Sequence, residues 1–146
     1  IMERIRIGEF RYIRVTEHFI IIEDDLTKKN AALNFQKWMK LGYIVDEIDA
    51  AVSKVSADNK DVVVNLHKDI GENWYVSVSS KVYCVDIRKF YKADDQLKPS
   101  KQGIGLRFRE WNKLKEAVQK IHTDRPDIAT VVPCYLSEDH QNQEGW

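Results

Sequence analysis

The residues of this 146-residue chain best suited to chemistry lie between positions 81 and 109, where eight Lys/Arg stand against three Asp. There Lys81, Arg88, Lys92, Lys98 and Lys101 are interspersed with the adjacent rings of Phe90 and Tyr91. Cations spaced along extended backbone can line a groove for phosphates, and flat rings beside them can carry stacked bases. Strand alternation predicts Tyr83, Val85 and Ile87 on a core-facing side and Asp86, Arg88 and Phe90 on the other. A bulge would decide which of Phe90 and Tyr91 is exposed. Blander assignments exist for the same side chains: Arg88 paired with Asp86, Tyr91 covering a sheet edge, Lys98 and Lys101 as solvated loop charges.

Other chemistries find less support. His18, His67, His122 and His140 are scattered, and no Ser/His/Asp or Cys/His arrangement is visible. The acidic run Glu23-Asp24-Asp25 is a poor metal site, because consecutive strand residues point to opposite faces. Cys84 and Cys134 lack metal-ligand spacing, and Cys84 in its apolar strand is expected to be a buried thiol. No catalysis and no cofactor are expected. The longest apolar run, residues 19–22, is far short of the ~20 residues of a membrane span. The start, Ile1-Met2-Glu3-Arg4, has no apolar stretch behind it, so no signal peptide is expected.

The net charge is zero but unevenly spread. Residues 1–57 carry nine basic and nine acidic side chains, residues 81–125 twelve and six, and residues 126–146 none and four. A phosphate-binding surface is therefore expected in the second half.

The elements that must position these residues occur twice. Phe35, Trp38, Leu41, Val45 and Ile48 reappear 73 positions later as Phe108, Trp111, Leu114, Val118 and Ile121. Their spacing of three and four predicts one apolar helix face in each copy. Ile7-Gly8-Glu9 and Tyr12, Ile13, Val15 reappear 63 positions later as Ile70-Gly71-Glu72 and Tyr75, Val76, Val78. The second copy thus holds about ten extra residues, placed in the polar stretch 93–102. Each copy reads as strands followed by a helix. Strands are predicted over 11–15, 19–22 and 31–33, then over 74–78, 82–90 and 104–108. Asn34 is positioned to cap a first helix running to about Lys54. The second helix shows no capping side chain and stops near Asp124, ahead of Pro126. The domains read as 1–57, 62–125 and a tail, 126–146, expected to be mobile from Ser137 onward, with Val131, Val132 and Tyr135 as candidate docking residues. Units of roughly 60 residues are marginal alone. The Trp38 and Trp111 faces are therefore expected to pack on each other as an intrachain pseudo-dimer.

Four pieces of the second copy resemble the RNA polymerase II transcriptional coactivator family called positive cofactor four. They are Tyr75-Val76-Ser77-Val78, Asp86-Ile87-Arg88-Lys89-Phe90-Tyr91, Lys98-Pro99-Ser100-Lys101-Gln102-Gly103-Ile104-Gly105-Leu106 and Trp111-Asn112-Lys113-Leu114-Lys115. The resemblance implies an α+β fold, with a curved antiparallel sheet backed by one helix per unit. It implies a non-enzymatic nuclear coactivator that binds single-stranded or melted DNA, with RNA left open and proteins of the transcription machinery as partners. A further homodimer is compatible with it. By resemblance Arg88 is the phosphate-contacting arginine, Tyr91 takes the base-stacking position, Lys98 and Lys101 match a basic turn, and Lys81 starts the second strand. Phe90, Lys92 and Arg14 complete the candidate site.

The chain also departs from that pattern. Only Ser79-Ser80 follows Tyr-Val-Ser-Val, Glu9 and Glu72 replace lysines, and the first copy reads Ile22-Glu23-Asp24-Asp25 in place of Asp-Ile-Arg. One good binding surface and one vestigial one are expected. The competing function is a protein-interaction module that kept the fold and lost nucleic-acid binding.

Overall fold

The computed structural model describes residues 3–133 and 146. Its elements in chain order are β1 (Ile5–Arg6), β2 (Arg11–Val15), β3 (Phe19–Asp24), β4 (Asn30–Asn34), α1 (Phe35–Tyr43), α2 (Val45–Ser56), β5 (Asn65–Gly71), β6 (Trp74–Ser79), β7 (Val82–Ala93), β8 (Gln96–Leu106), α3 (Phe108–Asp124) and α4 (Pro126–Ala129). The class is α+β. The eight strands among the described residues form one antiparallel sheet, ordered β1-β2-β3-β4-β8-β7-β6-β5. Four strands ending in a helix are followed by four more ending in a helix, and the two sets meet where β4 pairs with β8 at Asn30 and Gly103. Gly103 suits that seam: a Cβ there would lie 2.7 Å from the Ile87 carbonyl oxygen and 2.8 Å from Arg88 Cα.

The strands alternate as a sheet buried on one side must. Ile13, Ile20, Ile22, Leu33, Val76, Val85, Ile87, Ile104 and Leu106 are sealed beneath the helices. Both predicted helix stripes face the same core, and Trp38, Leu41, Ile48, Trp111, Leu114 and Ile121 have no exposed surface. The helices pack reciprocally. Trp38 Nε1 donates to His122 Nε2 at 3.0 Å, and Trp111 Nε1 donates to Asp49 Oδ1 at 2.8 Å. Positions 38 and 111, and positions 49 and 122, are each 73 apart, so each helix offers an indole to the same place on the other. Such self-complementary pairing is what a two-fold interface produces. Lys37 of α1 reaches Glu72 at 2.8 Å, also across the seam, and holds that carboxylate below its ordinary range.

The cap at Asn34 is present, its side chain accepting from the Lys37 backbone N–H at 2.9 Å. Four expectations are corrected. The first helix is not continuous: Ile44 (φ −104°, ψ 9°) breaks it between α1 and α2. The second helix does have a cap, because Glu110 reaches back to the Arg107 N–H at 2.9 Å. Its carboxylate is buried, and Arg11 approaches it to 3.4 Å while also pairing with Asp24 at 2.9 Å. Residues 96–102 are strand rather than loop. Asp94 and Asp95 take φ of 54° and 64°, a two-residue turn whose twist matches the flanking strands. Finally, Trp146 is docked: its Nε1 donates to the Trp38 carbonyl at 3.1 Å and its ring lies 4.5 Å from Trp38 and 6.1 Å from Trp111. Tyr135, Cys134 and the rest of 134–145 lie outside the described residues. Of the other candidate docking residues, Val131 packs against the core and Val132 is exposed.

Candidate nucleic-acid interface

β6 stops pairing with β7 at Lys89, and β8 meets β4 only at Gly103. The Phe90 N–H still bonds to the Asn73 carbonyl at 2.7 Å, and beyond it residues 91–98 pair with each other and extend past the neighbouring strands as a two-stranded arm rooted at Phe90 and Pro99. The register break between Arg88 and Phe90 lies on β8, which sets three residues (Ser100 to Gln102) against the single Lys89 of β7. β7 keeps its alternation, so Phe90 stays on the face of Asp86 and Arg88. Directly opposed pairs share a face. Tyr91 and Lys98 are opposed and lie on one face of the arm, while Phe90, Lys92 and Leu97 lie on the other. Tyr91, Lys92, Leu97, Lys98 and Lys101 are exposed.

The Arg88 guanidinium is anchored. Its Nε and Nη2 donate to Asp86 at 3.0–3.3 Å, and Nη1 donates to the Ser100 carbonyl at 2.9 Å. Ser100 Oγ in turn donates to the Lys89 carbonyl at 2.6 Å, tying the bulge to β7. The side chain remains partly accessible, and a guanidinium has five N–H donors, so some stay open to an incoming phosphate. The pairing with Asp86 foreseen from the sequence is thus real, and it orients the group.

The structure gathers Arg88, Phe90, Tyr91, Lys92, Lys98 and Lys101 on the arm and its root. It does not bring Lys81 and Arg14 to them. Lys81 sits in the β6–β7 turn, at the far end of β7, about 20 Å or more from Arg88 at strand spacing. Arg14 is in the other half, paired with Glu23 through Nε (3.0 Å) and Nη2 (3.2 Å). That carboxylate raises the Arg14 pKa. Arg4 lies over the Tyr12 ring at 3.9 Å and pairs with Asp25 at 2.8 Å and Glu23 at 3.5 Å. On the first half's open face Arg4 and Arg14 are thus tied to carboxylates, while Arg6 bonds to the Gly8 and Glu9 carbonyls and Phe19 stays exposed. Asp24, between those two acids, turns to the core instead. Burial pushes its pKa up, but hydrogen bonds from the Thr27 and Leu26 N–H groups and from Arg11 outweigh this and bring it below the usual value.

Two apolar readings on β7 need correcting. Tyr83 lies beyond the core, 58% exposed, with its hydroxyl 3.4 Å from Asp58. Cys84 is half-buried, not sealed, and points to the side of Asp86. Burial and then the Asp86 charge raise its pKa, which disfavours the reactive thiolate.

Sequence reasoning missed a ring cluster on the open face. His67 of β5 stacks on Tyr75 of β6 (4.3 Å, 5° between planes), and Phe90 of β7 stands edge-on to both, at 5.0 and 5.2 Å. Ser77 Oγ lies 3.0 Å from His67 Nδ1. Alternation along β5 would have pointed to His67, but that strand was not predicted.

The family described as Transcriptional Coactivator p15 (PC4) matches residues 68–117, from within β5 to within α3. The chain is also similar to the RNA polymerase II transcriptional coactivator KIWI of Arabidopsis thaliana. The two are 32% identical over 93 residues, an alignment covering 57% of this chain and 82% of that protein. No solved structure gives a significant match.

Proposed function

The chain belongs to the Transcriptional Coactivator p15 (PC4) family, and on that premise we propose that it is a coactivator-like protein binding single-stranded or melted DNA through its second half. One observation carries this reading: the β7–β8 arm presents Arg88, Phe90 and Lys92 on one face and Tyr91 and Lys98 on the other, with Lys101 at its root. The cations hold phosphates and the exposed rings stack on bases, a combination that favours an unpaired strand over a duplex. Arg88 is pre-oriented by Asp86 and Ser100, so little side-chain entropy is lost on binding. Lys81 and Arg14, lying apart, contribute at most long-range attraction.

The same proposal reads the chain as two tandem copies, 1–57 and 62–125, joined as an internal pseudo-dimer. The reciprocal tryptophan bonds and the mirrored strand order support it. It places the protein in the nucleus, beside proteins of the transcription machinery, and gives it no catalytic step. A second reading, a protein-interaction module without nucleic-acid binding, is favoured by the charge-neutralised first half.

Fluorescence anisotropy with single- and double-stranded oligonucleotides over a salt series separates the two. The proposal expects single strands to bind more tightly than duplex. It expects Arg88→Ala to lower the slope of log K against log salt by about one and Tyr91→Ala to weaken binding by ~1–3 kcal/mol. Absence of binding at about 50 mM salt, where phosphate contacts are strong, would leave the interaction module standing.

A further inference from the structure

We infer that the His67–Tyr75–Phe90 cluster is a second base-stacking platform, which receives an unpaired nucleobase on the open sheet beside the arm. The inference rests on the nucleic-acid reading above and adds a site of its own to it. Three rings from three adjacent strands converge on the face the helices leave uncovered. Apolar rings on a solvated face are usually dispersed, whereas these form a packed group with His67 exposed at its outer side. The His67 and Tyr75 planes are parallel to within 5°, so a base laid on the free face of His67 would extend an existing stack. Phe90 braces both rings from the side, and Ser77 fixes the rotation of the imidazole through Nδ1.

The surroundings suit a nucleotide. Arg88 is the direct cross-strand partner of Tyr75, so its guanidinium can meet the phosphate of a base stacked there. Phe90 belongs to both the cluster and the arm, and Lys92 and Leu97 continue its face, so one strand can pass from Lys92 onto His67 without leaving the protein.

The first half shows what a closed version looks like. Tyr12 stands 63 positions before Tyr75, but the Arg4 guanidinium covers its ring at 3.9 Å and is held there by Asp25 and Glu23. Of these two equivalent tyrosines, Tyr75 is the one held in a ring cluster, adjoining the arm.

The test compares labelled oligodeoxythymidine with an abasic oligodeoxynucleotide of equal length, which keeps the phosphates and removes the bases. The expected result is tighter binding of oligodeoxythymidine by the wild type. His67→Ala should weaken that binding by about five- to a hundredfold and leave abasic affinity unchanged. His67→Phe should retain it, and Tyr75→Leu, which keeps an apolar side chain on the strand, should weaken it in the same way. If His67→Ala and Tyr75→Leu bind oligodeoxythymidine like wild type while Tyr91→Ala does not, the platform is overturned and the arm stands. If the wild type binds neither oligonucleotide at low salt, both readings fall together.

Discussion

The two halves of the sheet share a strand order and differ in what their open faces do with arginine. In the first half Arg4 and Arg14 answer Glu23 and Asp25, and the one ring among them, Tyr12, lies under Arg4. In the second half Arg88 answers Asp86 alone among carboxylates, and three rings, His67, Tyr75 and Phe90, pack together on the open face. The first arrangement ties Arg4 and Arg14 to carboxylates, whereas the second keeps Lys92, Lys98 and Lys101 exposed beside its rings. Net charge by segment anticipated this direction, but the ion pairing makes the contrast sharper than a count of charges would.

The largest effect expected tests whether the halves are separable. Trp38→Ala and Trp111→Ala should each cost about 3–5 kcal/mol, because both indoles are sealed in the seam. Chemical denaturation should remain a single transition in the wild type, since each helix supplies a hydrogen bond the other needs. Two resolved transitions would mean that the halves fold independently, and the pseudo-dimer would fail.

The next prediction inverts the comparison. Arg14→Ala should leave oligonucleotide affinity within about twofold, because its charge is already balanced by Glu23. Glu23→Gln should instead free that charge and raise the salt slope by about one. Anisotropy across a salt series reads both, and an Arg14→Ala loss as large as that of Arg88→Ala would show that the first half binds as well.

A smaller effect concerns acid. Burial holds the His122 pKa below its usual value, and its Nε2 accepts the Trp38 indole N–H only while unprotonated. The unfolded chain therefore takes up this proton first as pH falls. The stabilisation is present above about pH 6.5 and is lost as the pH drops through the lower folded value. His122→Gln keeps an acceptor for Trp38 without that titration, so its melting temperature should fall less between pH 7 and pH 5 than that of the wild type.

Smallest is Gly42→Ala. Its Cβ would stand 2.2 Å from Trp146 Cδ1, so the Trp146 ring must leave its seat. Helix propensity offsets part of the loss, and a net destabilisation of about 1 kcal/mol is expected. A red shift in tryptophan emission would report the displaced ring. Unchanged emission and stability would show that Trp146 adds nothing to the seam.

Much of the scaffold was legible from local pattern. The stripes at positions 35–48 and 108–121 named the buried helix faces, Asn34 announced its cap, and Pro126 marked the end of α3. What was misread lay where local composition and tertiary pairing disagree. Residues 96–102 are polar and contain Pro99, so they resemble a loop; they are strand because a tight turn at Asp94-Asp95 folds them onto β7. Ile44 is an ordinary apolar residue, and nothing in its type announces a helix break.

Residue type and spacing alone determined the amphipathic faces, the gathering of positive charge in the second half and the pairing of Phe90 with Tyr91. Periodicity and composition are local quantities, which a linear chain already contains. Tertiary structure alone decided which charges are neutralised and which rings meet. Arg14 is bound by a residue nine positions away on the next strand, while His67, Tyr75 and Phe90 come from three strands. Such contacts depend on register, and register is settled only when the whole sheet closes against its helices.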